Sequence, residues 1–489
     1  MARFAVTTFG CQMNKHDSER LEEVLSRAGG ELVASVDEAD LVVLNTCSVR
    51  DKAEQKIRSE VGRLSVLKRR RPELVLVVAG CMARQHGAGI IRTMPDVDLV
   101  IGPDNIAELP ELLAEIQLGG PPLVRTDFDL EAPTFLTALT VASRKPTAFV
   151  TTMKGCDERC TYCVVPQTRG PERYRPSDEV IAEIQQLVAA HVREVTLLGQ
   201  TVNRYRDPVG KLGRAPDAAP GDPDESEFAA LLRAIAEQVP QLRRLRYESP
   251  HPRHLTKALI SAHCELPQLP RHLHLPVQSG SDRVLKRMIR RHTRAEYLER
   301  VSQVCARLAD VTISTDIIVG FPGETEADFR QTLSLVEQVP HVGVFGFKYS
   351  PRPGTAALRL GDEVDETTKA DRLRRLFEVS EATMARHLSA LVATQQQVLV
   401  EGPSKSRAEN LSGRSERNEI VHIVDATQLD IVGEVVEVEI VEAYKHSLLA
   451  KLTDSERRRA RTKQDGSGRQ HLPMVSGAQG AAPPPFGSD

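Results

Sequence analysis

Ala148-Phe149-Val150-Thr151-Thr152-Met153-Lys154-Gly155-Cys156-Asp157-Glu158-Arg159-Cys160-Thr161-Tyr162-Cys163 is a short apolar run that ends in three cysteines spaced C-x3-C-x2-C. The run has the length and composition of a β-strand. Downstream, Ser177 can cap a helix whose apolar face is Val180, Ile181, Ile184, Leu187 and Val188. Further strand candidates are Glu194–Leu198, Leu242–Glu248, His272–Val277, Val311–Ile318 and Val342–Tyr349. Helical patterns separate them at 227–238, 253–264, 281–308 (broken near Arg291–Thr293) and 324–339. Six βα units over residues 147–380 predict a partial (β/α)6 barrel, with the cysteines just beyond its first strand.

Upstream, residues 1–120 repeat the same alternation. Phe4–Phe9, Asp40–Asn45, Leu74–Ala79 and Val97–Ile101 are near-continuous aliphatic runs, as strands buried on both faces require. A doubly wound parallel α/β domain follows. Cys11, Cys47 and Cys81 come right after the first three strands, 36 and 34 residues apart, about one βα unit each. Parallel strands deliver such loops to one edge, so these three thiols can meet at one metal centre. The other reading is three buried cysteines used as small hydrophobes. Residues 121–146 are proline-rich and aperiodic, a linker. Asp207–Ser226 has the composition of a surface insertion. Helical residues 363–391 lead into short strands at 397–400, 419–424, 431–440 and 447–451, a small antiparallel β-barrel within 381–453. Residues 454–489 have the composition of a disordered tail.

The chain has 489 residues, with 64 Lys plus Arg against 67 Asp plus Glu, and is 40% hydrophobic. These values fit a globular protein and give no sign of a bulk polyanion binder. No run approaches the roughly 18–20 apolar residues of a membrane span. The N-terminus is too polar for a signal peptide, so a cytoplasmic location without membrane partners is expected. Eight cysteines are too sparse for a disulfide scaffold, and clustered ones point to metal.

Three thiolates without a nearby fourth Cys or His are one short of a closed zinc site. On a 4Fe–4S cluster they leave one iron open. That iron can chelate the amino and carboxylate groups of S-adenosylmethionine, and an electron from the cluster then cleaves the carbon–sulfur bond to give a 5′-deoxyadenosyl radical. Another iron–sulfur or zinc arrangement is the alternative.

The motif resembles the radical S-adenosylmethionine superfamily. The whole chain resembles its methylthiotransferases through Thr8–Asn14 (TFGCQMN), Asn45–Arg50 (NTCSVR), Ala79–Ala83 (AGCMA), Gly155–Gly170, His274–Ser281 (HLPVQSGS) and Thr315–Thr325 (TDIIVGFPGET). The GCQMN and NTCSVR forms are most similar to the MiaB branch, which acts on prenylated adenosine in tRNA. The C-terminal barrel is similar to a TRAM domain, an RNA-binding module. The resemblance implies that Cys156, Cys160 and Cys163 hold the radical-generating cluster, and that Cys11, Cys47 and Cys81 hold an auxiliary 4Fe–4S cluster for sulfur insertion. It implies a tRNA anticodon loop as substrate, methylthiolated at base carbon 2 of the adenosine at position 37. An electron donor and a sulfur source are needed, and a monomer is expected.

Tyr162 resembles the aromatic beside the cofactor adenine, and Gly199 ends a strand where the superfamily approaches the methionyl group. Ser249 and Gln278 end strands facing the same mouth. Packing, a tight turn and ordinary hydrogen bonding are the respective alternatives. Cys264 and Cys305 fall in helical patterns, as packed thiols. Lys68–Arg71 and Lys286–Arg294 can meet phosphates or be solvated helix faces. Across 392–452 there are ten acidic and six basic residues, unexpectedly acidic for an RNA-gripping barrel. Three activities remain open at this point: the tRNA methylthiotransferase; a sister enzyme acting on threonylcarbamoyl-adenosine or a ribosomal-protein aspartate; and a non-catalytic RNA-binding iron–sulfur protein.

Overall fold

The computed structural model describes residues 2–48, 51–131, 133–142, 144–212, 225–405 and 407–466. Residues 213–224 of the surface insertion and 467–489 of the tail lie outside the described residues. Among the described residues, no helix is long and apolar enough to cross a membrane.

The first sheet contains β1 (Arg3–Phe9), β2 (Glu31–Leu32), β3 (Leu41–Thr46), β4 (Val75–Gly80), β5 (Leu99–Ile101) and β6 (Leu123–Arg125). Its order is β2-β1-β3-β4-β5-β6, every pair parallel. Val42, Leu44, Leu76 and Val78 join one buried cluster, and Leu41, Val43, Val77 and Ala79 join the other. Both faces are therefore covered, which is why the strands read as unbroken aliphatic runs. β2 and β3 flank β1 on opposite sides, so the chain changes direction between β1 and β3 and opens a crevice at their carboxyl ends. β6 lies within the stretch expected to be a linker: Leu123 pairs with Leu99 and extends the sheet by one strand.

The central region holds β7 (Thr147–Thr151), β8 (Met153–Lys154), β9 (Arg173–Tyr174), β10 (Glu194–Leu198), β11 (Arg244–Tyr247), β12 (His272–His274), β13 (Thr312–Val319) and β14 (His341–Lys348). Six of these form two parallel sets, β7-β10-β11 and β12-β13-β14. No ladder joins β11 to β12 or β7 to β14, and β7 and β14, first and last of the six in the chain, are the two edges of an open barrel. Val150, Val195, Leu197, Leu245, Leu273, Ile313 and Ile317 pack outward against the helices in one core. By the two-residue period of a strand, the alternate positions face the lumen. There stand Glu194 and Thr196, Arg244 and Arg246, His272 and His274, and Thr312, Ser314 and Asp316. An ordinary βα barrel fills this space with branched aliphatics. Ser177 is the first helical residue and not the cap; its N–H and hydroxyl both donate to Asp207 (3.2 and 3.0 Å).

The last region contains β15 (Gln395–Pro403), β16 (Leu411–Ser415), β17 (Ile420–Ile423), β18 (Val435–Ala443) and β19 (Leu448–Leu452), a closed barrel in the order β15-β16-β17-β19-β18. One pairing departs from the expected antiparallel pattern: β17 and β19 run parallel and close the ring. Arg244 donates to the main-chain oxygens of Arg414, Ser415 and Gln397 (2.6, 3.2 and 3.2 Å), and Arg246 donates to Ser415 O (3.1 Å). Thr312 donates to Arg417 O (3.3 Å). Arg244 and Thr312 open β11 and β13, so the small barrel sits at the amino ends of the strands, away from the cysteine loops. The tail expected to be disordered begins as a helix, Asp454–Gly466, because Ala460 is buried in this barrel's core.

The first two regions meet through buried charge. Arg20, on the helix Gln12–Arg27, donates to Glu183 Oε1 (3.3 Å) and Phe149 O (3.3 Å), and Glu183 also pairs with Arg175. Asp104 binds Lys154 (3.0 Å) and Arg173 (2.5 Å). Removing one partner of a buried pair strands the other charges, at about 3–5 kcal/mol. Glu183→Ala is therefore expected to shift the first guanidinium unfolding transition markedly downward, while Glu179→Ala, whose side chain is exposed, leaves it nearly in place.

Candidate metal centres and active-site mouth

The C-x3-C-x2-C loop is pinched at its base by the antiparallel pair β8–β9 and by Cys156 N–H donating to Gly170 O (3.1 Å). Gly155 has φ +79°, and a Cβ there would lie 1.9 Å from Pro171 O, so only glycine closes this neck. Each thiol of the loop has a polar neighbour. Cys156 Sγ is 3.2 Å from Thr201 Oγ1. Arg290 Nη1 donates to Cys160 Sγ at 3.5 Å, and the Val165 N–H donates to Cys163 Sγ at 3.4 Å. Burial pushes Cys156 up to about 11 and Cys163 up to about 12. Neither thiol ionises unaided at neutral pH; a bound metal centre would displace the proton to solvent and stabilise the thiolate, with donors already aimed at the sulfurs.

Arg290 lies in a turn whose flanking residues, Ile289 (φ +56°) and Arg291 (φ +52°), are both left-handed. A β-branched residue there is strained, and within this turn Arg290 points inward to Cys160 and to Pro276 O (2.9 Å). The run Lys286–Arg294 is therefore no continuous basic face: Arg290 and His292 are buried, and Arg287 and Arg294 grip the carbonyls of Pro322 and Gln331. Lys68 and Arg71 are likewise engaged, with Asp98 and Asp40.

The proposed cofactor contacts divide. Tyr162 packs against Val284, Met288, Phe321, Tyr349 and Ala357, and burial holds its phenol well above the usual range despite the Arg290 charge beside it. Gln278 is buried with φ +73°; its N–H donates to Asp316 O and its carbonyl accepts from Ile318 N–H, fixing β12's exit to β13. At Gly199 a Cβ would stand 2.6 Å from Met153 Cγ, so the glycine admits close packing under the loop. Ser249 also has positive φ (+62°) but is exposed, and among the described residues no hydrogen bond joins it to the triplet. Next to Thr201, both amide atoms of Gln200 are buried without a hydrogen-bond partner among the described residues, as is Arg290 Nε. Such polar groups around the triplet suit a polar cofactor.

Cys11, Cys47 and Cys81 stand at the carboxyl ends of β1, β3 and β4. Cys11 N-caps the helix Gln12–Arg27, which starts earlier than its apolar pattern suggests because Asn14 reaches back to the Cys11 N–H (3.4 Å). The Cys11 thiol is pulled down to about 6, chiefly by the Cys47 thiol, then by the backbone N–H groups of the helix start and by Arg169. Cys81 is raised by burial, against the pull of Arg169. Thr46 Oγ1 and Ser48 Oγ, on either side of Cys47, are buried without partners among the described residues. Among the described residues no three His, Cys, Asp or Glu side chains gather tightly enough for a single metal ion. A cubane asks for less, since each thiolate takes its own iron. Cys305 is half-buried and packs against the central core, as helical patterning suggests, whereas Cys264 is exposed.

One side chain ties the segment after the triplet to the other trio. Arg169, six residues after Cys163, donates from Nε to Cys81 Sγ (3.2 Å) and from Nη2 to Asp17 Oδ2 (2.5 Å), on the helix that Cys11 opens. The carboxyl edges of the two parallel sheets thus face each other across a buried guanidinium. Local pattern gives no sign of Arg169 or Arg290: an arginine in a loop reads as solvated until its neighbours are known.

Residues 3–102 match the uncharacterized protein family UPF0004, residues 150–336 the radical SAM superfamily and residues 390–453 the TRAM domain. A tRNA-2-methylthio-N(6)-dimethylallyladenosine synthase of Sorangium cellulosum is 60% identical, over 98% of this chain and 100% of that protein. The enzyme of the same name from Ralstonia nicotianae is 43% identical, over 92% of this chain and 97% of its own length. Among solved structures, the radical S-adenosylmethionine methyltransferase TsrM of Kitasatospora setae aligns at TM-score 0.49 and 14% identity, over 73% of this chain and 77% of that one.

The thiol environments give opposite pH behaviour. In metal-free protein, Cys11 is mainly thiolate above about pH 6, whereas Cys163 stays protonated until about pH 12. Iodoacetamide at pH 7 should label Cys11 rapidly and Cys163 barely, as read by peptide mass spectrometry, and Cys11 labelling should fall off as the pH drops through 6. Equal labelling of the two would contradict this geometry.

Proposed function

The chain belongs to the family of tRNA-2-methylthio-N6-dimethylallyladenosine synthases, radical SAM enzymes, and from that premise we propose the following division of labour. Cys156, Cys160 and Cys163 hold the 4Fe–4S cluster that binds S-adenosylmethionine. Cys11, Cys47 and Cys81 hold a second, auxiliary 4Fe–4S cluster, the site of sulfur insertion. When bound, the first cluster and S-adenosylmethionine supply a radical able to take hydrogen from carbon 2 of N6-dimethylallyladenosine at tRNA position 37. That C–H has no useful acidity, so a general base would not serve. The relatives' shared name selects this branch over threonylcarbamoyl-adenosine or a protein aspartate, and over a non-catalytic role.

The chain's own residues position and enclose. Arg290 holds Cys160, Thr201 meets Cys156, and Tyr162 with Gln278 lines the mouth on the cofactor side. The polar lumen receives the base. Sealing the site matters because an unguided radical attacks the protein. The observation that carries the reading is the Arg169 contact, which supports two thiol trios sharing one mouth. The reading entails an electron donor, a sulfur source, a cytoplasmic location and a monomeric unit.

The test is anaerobic reconstitution followed by nucleoside mass spectrometry of a prenylated tRNA incubated with the enzyme. The methylthio product is expected, and unchanged nucleoside would reject the proposal. Iron should reach about eight per chain, four per cluster. Joint replacement of Cys156, Cys160 and Cys163 by Ala should halve that figure and abolish 5′-deoxyadenosine formation.

A further inference from the structure

Phe345 on β14 is 54% exposed, the only aromatic among the exposed large hydrophobic side chains of the described residues. Its neighbours face the other way: Val344 joins the outer core, and Gly346 lies under Leu373, Leu376 and Phe377 of the helix Glu366–Ala390. By strand period Phe345 therefore turns to the lumen. It stands edge-on to His274 (5.8 Å between centroids) and opposite Asp316 in the β13–β14 register. His274 is held by Ser314 (2.8 Å) and by Asp316 (3.6 Å). His274 and Asp316 stand on β12 and β13, the neighbouring strands, so the ring and the two polar side chains share one part of the lumen.

The opposite edge of the open barrel carries a matching ring. Phe149 takes the corresponding inward position on β7, with Lys15 Nζ 5.3 Å from its centroid. Aromatic rings at both lips of a polar lumen, with the Lys15 ammonium beside one of them, form a platform for a base and a hold for the phosphates beside it.

We propose that Phe345 is the stacking platform for an unpaired purine extruded from an RNA loop, with Phe149 at the opposite lip, His274 and Asp316 at the base edge, and Lys15 toward the backbone. This deepens the enzymatic reading above and rests on it. An extruded base needs a π-surface that is exposed before it arrives, and every base has a face to offer it.

The chain contains no tryptophan, so Phe345→Trp installs a single fluorophore at the site. The probe is an anticodon stem-loop carrying N6-dimethylallyladenosine at position 37, compared with the same stem-loop abasic at that position. The F345W emission should be quenched by the first RNA and unchanged by the second at saturation, with binding followed separately through a label on the RNA. Phe345→Ala should weaken the Kd for the prenylated stem-loop by about tenfold or more, while F345W stays within about threefold of the native chain. Iron content checks that both variants fold. Unchanged emission with the prenylated RNA at saturation, or native affinity in F345A, overturns the platform. Quenching alongside a native enzyme that leaves the RNA unmodified keeps the platform and overturns the enzymatic reading instead.

Discussion

The guanidinium of Arg169 sets the geometry on which the rest depends. It is buried, so its charge needs a partner, and Asp17 supplies one. With that pair made, Nε points at Cys81. The segment after the C-x3-C-x2-C loop, the helix capped by Cys11 and the strand end bearing Cys81 are then held together. Chemistry that moves a hydrogen atom and then a sulfur demands placement to fractions of an ångström. A polar, charge-paired interface provides it better than a greasy one, because sliding would leave charges unpaired.

The same logic explains the lumen. A barrel packed with Val and Ile inside is stable and closed. Here the inward positions are Glu, Arg, His, Ser and Asp, and the stabilising apolar contacts lie between strands and outer helices. The lumen charges hold one another, as where Glu194 meets Arg246 (3.1 Å). The fold gives up an inner core and gains a polar chamber that opens between β7 and β14.

Much of this was legible in the residues. Parallel strands buried on both faces leave unbroken aliphatic runs, and the thiol after each run marks the carboxyl edge without any coordinates. The breaks were where local pattern is silent. Leu123–Arg125 and Leu411–Ser415 are short and partly polar, and become strands only because neighbours offer hydrogen bonds. Ser177 looks like a cap, yet Asp207 lies thirty residues on and takes both its donors. The helix Asp454–Gly466 exists because one alanine meets a core, which a charge-rich sequence conceals. Arginine is the hardest residue to place: Arg169, Arg244 and Arg290 look like any surface cation and are three of the most committed side chains in the molecule.

Arg244 and Arg246 clasp the C-terminal barrel through main-chain oxygens, which every sequence possesses. The mount is thus indifferent to the side chains displayed on the barrel's far surface. Its outward face can change charge without unseating the module. What this small appendage displays is thereby uncoupled from the cysteine loops at the other end of the strands.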